Sequence, residues 1–314
     1  MNAPLRPKRL LVTGSSGFVG QALAAWLPQS RWSRHFQIVT PAIDYDLRDA
    51  DQLRQAIGPL RAECVLHLAA QSFVPASFQD PAGTLAVNVG GTLNLLQALE
   101  TEGFGGRFLY VSSADIYGAV EESALPVTET RLPVPRNPYA VSKASAEMLC
   151  RQWHLTQGME VVIARPFNHT GPGQDARFIL SGFARSIANI LSAGASAPRP
   201  RIETGNLAVT RDFSDVRDVL DAYMTILHDG HVGETYNVCS GVERNVGEIL
   251  QGMLARAGVC PDVVTDAARL RPNEQLRMVG SAAKLQAHTG WTAQCDLEAT
   301  LSAMVAWWQA KGNK

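Results

Sequence analysis

The sequence has no excess of either charge and no long apolar run. Its 314 residues carry 28 basic and 29 acidic side chains, which gives a formal net charge of −1. Proteins that wrap nucleic acid need a basic excess, so this balance predicts no nucleic-acid partner. Because no stretch reaches bilayer-spanning length and the basic start runs straight into a glycine-rich segment, we expect no membrane contact and a cytoplasmic location.

The five cysteines are scattered, with no C-x-x-C pair and no histidine at ligand spacing. Zinc sites and redox-active pairs depend on such spacing, so we predict no metal site and reduced, buried thiols. Hydrophobic residues make up 46% of the chain and charged residues 18%, which is typical of a folded globular protein. A chain of this length can bury a sizeable core and needs no covalent cross-links.

Residues 9–165 alternate short apolar runs with longer amphipathic stretches, a pattern typical of βαβ units. Such units build a parallel sheet with helices on both faces. The predicted strands are Leu10–Thr13, Gln37–Thr40, Cys64–Leu68, Arg107–Ser112 and Glu160–Ala164, and the predicted helices are Phe18–Leu27, Thr84–Glu102 and Tyr139–Gln157. The fold class is therefore predicted to be α/β, with a Rossmann-type doubly wound parallel sheet.

After residue 165 this rhythm breaks at a Gly/Pro-rich turn, Gly171–Gln174, which is followed by a helical stretch, Phe178–Leu191. An apolar run at Tyr236–Val238 indicates that the chain then returns to the sheet. We therefore predict a smaller, interleaved C-terminal substrate-binding lobe. Residues 1–165 are assigned to the dinucleotide-binding domain, with about 206–240 returning to it, and residues 166–205 and 241–314 to the lobe.

Gly14, Gly17 and Gly20 stand three residues apart between the first predicted strand and the first predicted helix. Glycines let the backbone approach a pyrophosphate, and the helix N-terminus offers it unpaired N–H groups. A strand-to-helix turn that merely favours glycine is the alternative, but the position at the first βα turn favours a dinucleotide site. Asp44 can face the ribose or be a solvated loop carboxylate, and Asp46 followed by Leu47 is more typical of a pair at the adenine edge, so NADH and NADPH both stay open.

Tyr139 and Lys143 stand four residues apart, so on a helix both side chains project from one face. An ammonium beside a phenol favours the phenolate, which brings the pKa of a proton donor closer to the working pH. Ser112 and Ser113 end a predicted strand at the sheet edge where ligands bind, and Ser113 can bond a substrate oxygen. Each feature alone is common, since a strand-end serine often caps a loop. Together they predict a hydride-transfer site of Ser113, Tyr139 and Lys143.

Four segments carry a family resemblance: HLAAQSFVPASFQDP from His67, NVGGTLNLLQAL from Asn88, RPFNHTGPGQ from Arg165 and RPNEQLRMVGSAAKL from Arg271. With them the chain resembles the extended short-chain dehydrogenase/reductase family over nearly its full length, most closely its GDP-4-keto-6-deoxy-mannose reductase and GDP-mannose dehydratase branch. The resemblance implies a GDP-sugar substrate and NADPH or NADH as cofactor, with NADP(H) slightly favoured. It also implies a homodimer that pairs helices resembling Thr84–Glu102 and Tyr139–Gln157.

The resemblance further implies roles for individual residues. The implied cofactor contacts are Gly14, Ser16, Gly17, Phe18, Val19, Gly20, Asp46, Leu47, Leu68, Ala69, Ala70, Tyr139, Lys143 and Pro166. The implied substrate contacts are Ser112, Ser113, Asn168, Arg211, Arg271 and Glu274. The forked donors of arginine suit diphosphate oxygens, although Arg211 and Arg271 can equally be surface residues paired with Asp212 or Glu274. His169 can equally be a packed histidine and is given no catalytic role.

The residues Ser113-Ala114-Asp115 bear on the reaction. Similar dehydratases carry threonine at the catalytic hydroxyl and glutamate two residues later, where this chain has the shorter Asp115. A carboxylate that must reach one specific proton is sensitive to a missing methylene, so we expect reduction of GDP-4-keto-6-deoxy-D-mannose to GDP-D-rhamnose. A dehydratase, a sugar-nucleotide epimerase and a catalytically silent dinucleotide sensor are the alternatives, and the sensor would not need Tyr139 and Lys143.

Overall fold

The computed structural model describes residues 6–193, 200–269 and 275–312. Its strands are β1 Lys8–Thr13, β2 Phe36–Val39, β3 Cys64–His67, β4 Arg107–Val111, β5 Glu160–Pro166, β6 Asn168–Thr170, β7 Arg201–Thr204, β8 Thr210–Asp215, β9 Thr235–Val238, β10 Glu243–Asn245, β11 Asp262–Thr265 and β12 Arg277–Met278. Its helices are α1 Phe18–Trp26, α2 Ala50–Ile57, α3 Val74–Gln79, α4 Pro81–Leu85, α5 Gly91–Thr101, α6 Pro138–Gln157, α7 Ile179–Ala193, α8 Val216–Asp229, α9 Val246–Ala257, α10 Ala283–Thr289 and α11 Leu297–Gly312.

Six strands form a parallel sheet in the order β2-β1-β3-β4-β5-β9. The chain leaves β1 to one side for β2 and then crosses to the other side for β3. In open α/β sheets, ligands bind beyond the carboxyl ends of the strands at such a switch in direction. The predicted doubly wound parallel α/β sheet is confirmed, and by this rule the binding crevice is expected beyond β1 and β3.

The apolar strands are buried on both faces of this sheet, and β1 shows how. Leu10 and Leu11 are both fully buried, yet they belong to different apolar clusters. Successive strand side chains point to opposite faces, so Leu10 packs in the cluster that contains α8 residues and Leu11 in the one that contains α5 residues. Such continuous apolar runs are typical of parallel strands covered by helices on both faces.

The predicted helix over Thr84–Glu102 is interrupted in the structure. A π-helical segment, Ala86–Gly90, separates α4 from α5. It carries Asn88, whose buried side-chain amide bonds the backbone of Gln71 and the hydroxyl of Ser142 on α6. Turns of this kind occur mostly as single insertions and frequently at functional sites.

The second lobe has its own small sheets and its own apolar core. Strand β8 pairs with β6, β10 and β12, while β7 pairs with β11. The core between α7, α9 and α11 includes Leu180, Phe183, Leu250 and Leu301. No helix within the described residues has the length and apolar character needed to cross a bilayer.

The chain returns to the main domain at α8, which begins at Val216, later than the predicted start at about residue 206. Strand β8 lies in the lobe, and only α8 and β9 rejoin the six-stranded sheet. In addition, α10 packs on α8 and β9, with Leu285 fully buried in their shared core, so part of the predicted lobe range 241–314 lies on the main domain. The first difference arises from strand pairing and the second from helix packing, and neither kind of partner is visible in local apolar patterns.

Candidate functional site

The glycine turn after β1 is built for close backbone packing. Gly14 has a φ of +71°, and a Cβ there would lie 2.8 Å from the backbone of Ala69. A Cβ on Gly20 would lie 2.6 Å from the carbonyl oxygen of Gly14. Helix α1 then begins after Gly17 with no side-chain cap, so its first N–H groups are left for a ligand. This cradle fits the pyrophosphate of a dinucleotide, which a helix N-terminus stabilises.

The segment after β2 carries the residues predicted to meet the adenosine of a dinucleotide. Leu47 is buried and its carbonyl accepts a hydrogen bond from Asn94. Asp46 is exposed and ion-paired with Arg48, which lowers the pKa of the carboxyl to about 2. Strand β2 ends at Val39 and is followed by the neutral Thr40, while Asp44 lies further along in an exposed loop.

Leu68, Ala69 and Ala70 follow β3 and are partly exposed at the crevice. The N–H of Ala69 donates to the hydroxyl of Thr13, at 3.3 Å, which fastens this wall to the end of β1. Pro166 ends β5 and is buried.

His169 on β6 packs its ring in parallel against Phe18, with ring centroids 6.4 Å apart. Burial lowers the pKa of its imidazole, and Nδ1 lies 3.1 Å from the carbonyl oxygen of Phe167. No catalytic role was predicted for this histidine, and in the structure it packs against the residue that begins α1.

Helix α6 places the tyrosine and lysine. Asn137 caps the helix by accepting from the N–H of Ala140, at 2.7 Å, which puts Tyr139 in the first turn and Lys143 one turn later. The hydroxyl of Ser113, at the end of β4, hydrogen-bonds the phenol of Tyr139. The same hydroxyl accepts from the N–H of Asp115, at 3.2 Å, so Ser113 also caps its loop.

Burial and a nearby carboxylate keep Tyr139 protonated. Burial and the nearby carboxylate of Asp115 raise the pKa of the phenol, and the Ser113 hydrogen bond lowers it only in part. Burial lowers the pKa of Lys143 to about 8, and its ammonium lies 4.8 Å above the ring of Tyr110. The predicted lowering of the tyrosine pKa by Lys143 is not found, because burial raises the pKa of the phenol; at neutral pH the phenol keeps its proton and the lysine keeps its charge.

The predicted substrate contacts have different surroundings. Asn168 is exposed at the start of β6, and Arg211 on β8 is partly exposed and donates to the carbonyl of Thr210, at 2.8 Å. Arg271 and Glu274 lie outside the described residues. Ser112 has a buried hydroxyl without a partner among the described residues, so of the two serines it is Ser113 that reaches the crevice.

Asp212, the alternative partner proposed for Arg211, is fully buried. Its oxygens accept hydrogen bonds from the backbone of Ser240, Gly241 and Gly280 and from the Ser240 hydroxyl. These bonds hold the loop after β9. Within the described part of the chain, no three His, Cys, Asp or Glu side chains come together as a metal ion would require.

Two residues behind the site were quoted in the resembling segments but given no role by the sequence. His67 ends β3 and Asn88 lies in the π-helical segment, and both are almost fully buried. The sequence offered one signal for His67, which is that it is a polar residue within an apolar strand. Burying such a group is unfavourable unless it is hydrogen-bonded.

Comparison with known proteins gives four consistent matches. The family model described as GDP-mannose 4,6 dehydratase matches residues 33–304. A GDP-6-deoxy-D-mannose reductase of Pseudomonas aeruginosa is 46% identical over 97% of this chain and 98% of its own. Among solved structures, RMD from Pseudomonas aeruginosa complexed with NADPH has a TM-score of 0.90 and 45% identity, covering 97% of this chain and 99% of that one. A putative epimerase from Burkholderia cenocepacia J2315 has a TM-score of 0.82 and 36% identity, covering 98% and 100%.

Proposed function

The chain belongs to the GDP-mannose 4,6 dehydratase family of extended short-chain dehydrogenases/reductases, and on that premise we propose that it reduces GDP-4-keto-6-deoxy-D-mannose to GDP-D-rhamnose. The observation that carries the proposal is the 46% identity, along nearly all of both chains, to a GDP-6-deoxy-D-mannose reductase. The arrangement of Ser113, Tyr139 and Lys143 supports it independently, because it supplies the groups that carbonyl reduction needs.

Reduction adds one hydride and one proton to the keto group. The bound nicotinamide cofactor supplies the hydride. Tyr139 holds its proton because burial and Asp115 raise its pKa, so it gives that proton to the oxygen of the keto carbon. Ser113 holds the same oxygen through its hydroxyl. Lys143 carries its positive charge at neutral pH and would hold the cofactor's ribose.

The enzyme uses NAD(P)H, and we place NADPH first. Sites that select NADH carry an acidic residue that bonds the ribose 2′-hydroxyl, and an acid there would repel a 2′-phosphate. The residue that follows β2 here is the neutral Thr40, and the carboxylate of Asp46 is engaged by Arg48. The relative of known structure with 45% identity was solved with NADPH.

Asp115 supports reduction over dehydration. Loss of water from the sugar requires a further acid or base besides the tyrosine, and similar dehydratases place a glutamate there. In this chain the position holds an exposed aspartate, whose charge raises the tyrosine pKa. A shorter carboxylate that keeps the phenol protonated suits an enzyme whose tyrosine only has to protonate an alkoxide.

The test is to incubate the purified enzyme with GDP-4-keto-6-deoxy-D-mannose and NADPH, with NADH in parallel. We expect one NADPH to be consumed for each GDP-D-rhamnose formed, and we expect Tyr139→Phe to lose this activity while it still binds NADPH. Conversion of GDP-mannose to the keto sugar would indicate a dehydratase, and isomerisation without net cofactor use would indicate an epimerase. A Tyr139→Phe variant that retained every activity would favour the sensor.

We also propose that the enzyme is a homodimer. Val141, Met148 and Leu155 recur at seven-residue spacing along α6 and are 40%, 63% and 79% exposed. Leu85 on the adjoining α4 is 39% exposed. Together these side chains, here named the α6 stripe, form an apolar surface on the two helices that the family resemblance pairs across a dimer axis. The cytoplasmic location remains a prediction.

A further inference from the structure

A chain of buried hydrogen bonds starts at the wall of the cofactor crevice. The N–H of Ala69 donates to the hydroxyl of Thr13, and that hydroxyl lies 2.6 Å from Nδ1 of His67. On the other side of the ring, Nε2 of His67 lies 2.9 Å from the hydroxyl of Thr92 on α5. The Thr92 hydroxyl donates in turn to the carbonyl oxygen of Asn88, at 2.7 Å.

The partners fix the tautomer of His67. A carbonyl can only accept, so the one proton of the Thr92 hydroxyl is used on Asn88, and Thr92 can only accept from the ring. His67 therefore carries its hydrogen on Nε2. Burial and the charge of Lys143 lower the pKa of His67 to about 3, so the ring is neutral and Nδ1 is an acceptor. Thr13 then donates to Nδ1 while it accepts from Ala69.

The chain continues from Asn88 to the catalytic helix. The side-chain amide of Asn88 donates to the hydroxyl of Ser142, at 2.8 Å, and that hydroxyl donates to the carbonyl oxygen of Tyr139, at 2.7 Å. The same amide also bonds the N–H and the carbonyl of Gln71. One connected network thus runs from Ala69, on the nicotinamide side, to the backbone of Tyr139.

We infer that His67 is a positioning residue that fixes the separation between the glycine turn with Ala69 and the first turn of α6, where Tyr139 begins. It acts as a rigid link, since its two nitrogens point in opposite directions and each has a partner of the required polarity. A fully satisfied buried network rigidifies its surroundings. The inference rests on the proposed function in that the group held opposite Tyr139 is the nicotinamide.

A purely apolar residue at position 67 would fill this space without the cost of burying an imidazole. Ala69 touches Gly14 closely, so the link also fixes the turn that holds the pyrophosphate. Preorganisation of a binding site raises affinity because less freedom is lost on binding. Loosening the link is therefore expected to weaken NADPH binding and, since a small misplacement of reacting groups is costly, to slow the chemical step.

The first experiment reads the tautomer directly. In protein labelled with ¹⁵N-histidine, long-range ¹⁵N–¹H spectra are recorded from pH 5 to pH 8, and the signals of His67 are assigned by comparison with His67→Gln. We expect a neutral ring with hydrogen on Nε2 throughout this range. Hydrogen on Nδ1, or a titration within the range, would overturn the inference. This measurement needs no sugar substrate.

The second experiment measures the Kd for NADPH by fluorescence titration, and kcat with the keto sugar. Thr92→Val removes the acceptor for Nε2–H but keeps the histidine, and Thr92→Ser restores the hydroxyl. We expect Thr92→Val and His67→Leu to raise the Kd about tenfold and to lower kcat by at least about tenfold, and Thr92→Ser to behave like the native enzyme. Thr204→Val, which also removes a buried threonine hydroxyl but lies in the lobe, is the matched control and should change neither value.

A native-like Kd in a folded Thr92→Val variant would show that the network serves stability alone and would overturn the inference. The proposed function fails separately, if the native enzyme binds NADPH but does not reduce the keto sugar. In that case the Kd series and the tautomer spectra still decide the role of His67, because neither depends on the sugar.

Discussion

Arg165 on β5 and Glu147 on α6 form a buried ion pair with two parallel hydrogen bonds, Nη2 to Oε1 at 2.6 Å and Nε to Oε2 at 3.1 Å. Arg165 uses its remaining nitrogen to donate to the hydroxyl of Tyr117. Glu147 lies one helical turn after Lys143 and its charge raises the pKa of that lysine. The pair therefore ties the catalytic helix to the sheet just behind the lysine and keeps part of the lysine's charge.

Breaking this pair should destabilise the protein strongly. In Glu147→Gln the guanidinium of Arg165 stays buried without its counter-charge, and loss of one partner of a buried pair typically costs about 3–5 kcal/mol. We expect a fall of that size in the free energy of unfolding, measured by urea denaturation. Arg54→Ala, which breaks an exposed pair with Asp51, is the control and should stay within roughly 0.5 kcal/mol of the native protein. Equal effects in both variants would contradict this account.

Gly14 and Gly158 can be compared directly, because both have a φ of +71°. Alanine at either position is strained by its backbone, but only at Gly14 would the Cβ meet other atoms, the backbone of Ala69. We expect Gly14→Ala to weaken NADPH binding at least about tenfold and Gly158→Ala to leave it unchanged, since only the first displaces the phosphate turn. Fluorescence titration of both variants with NADPH tests this, and an equal Kd in the two would contradict it.

Local sequence features predicted the elements that hold the cofactor and the catalytic residues. The runs around Leu10, Val65 and Val161 are buried parallel strands because their apolar character is continuous, and the Y-x-x-x-K spacing places both side chains on one helix face. Ser113 meets Tyr139 because adjacent parallel strands and the following helix share one edge of the sheet.

Features that depend on distant residues could not be predicted in this way. The pKa of Tyr139 is raised chiefly by burial, and the tyrosine–lysine spacing carries no information about burial. The membership of β8 in the lobe depends on pairing with β6, β10 and β12. His67 gained a role only when Thr13 and Thr92, from two other elements, were brought to opposite sides of its ring.

The pH dependence of reduction should respond in opposite directions to two neighbouring substitutions. Asp115 raises the pKa of Tyr139 and Ser113 lowers it. Asp115→Asn is therefore expected to move the ionisation of the phenol, which follows that of Lys143 near pH 8, to lower pH. Ser113→Ala should move it to higher pH, besides lowering activity. The pH profiles of kcat/KM test this, and shifts in the same direction would show that neither group controls the proton of Tyr139.

Lys143 should make stability depend on pH above about 8. Its pKa is near 8 in the folded protein and returns to its ordinary, higher value on unfolding, so between these values the unfolded state binds more protons. The free energy of unfolding therefore increases as the pH rises from about 8 toward 10.5. At 10.5 the cost of burying the lysine charge has disappeared. We expect the stability advantage of Lys143→Met over the native protein to shrink over that range. Urea denaturation at several pH values measures it, and a constant difference would contradict the buried charge.

The α6 stripe should determine the oligomeric state. Exposed apolar surface of this extent on a folded protein usually marks an interface, and a two-fold axis would bring one stripe against its copy. Met148→Glu adds one carboxylate to each subunit, and a two-fold axis would set these two charges against each other. The substitution should leave the fold of a single chain intact, because the Met148 side chain is 63% exposed within it. We expect a dimer mass for the native protein in light scattering and a monomer mass for Met148→Glu. Leu132→Glu, at a position 78% exposed outside both helices, is the control and should remain dimeric. A monomeric native protein at micromolar concentration would rule the dimer out, and the stripe would then need a different partner.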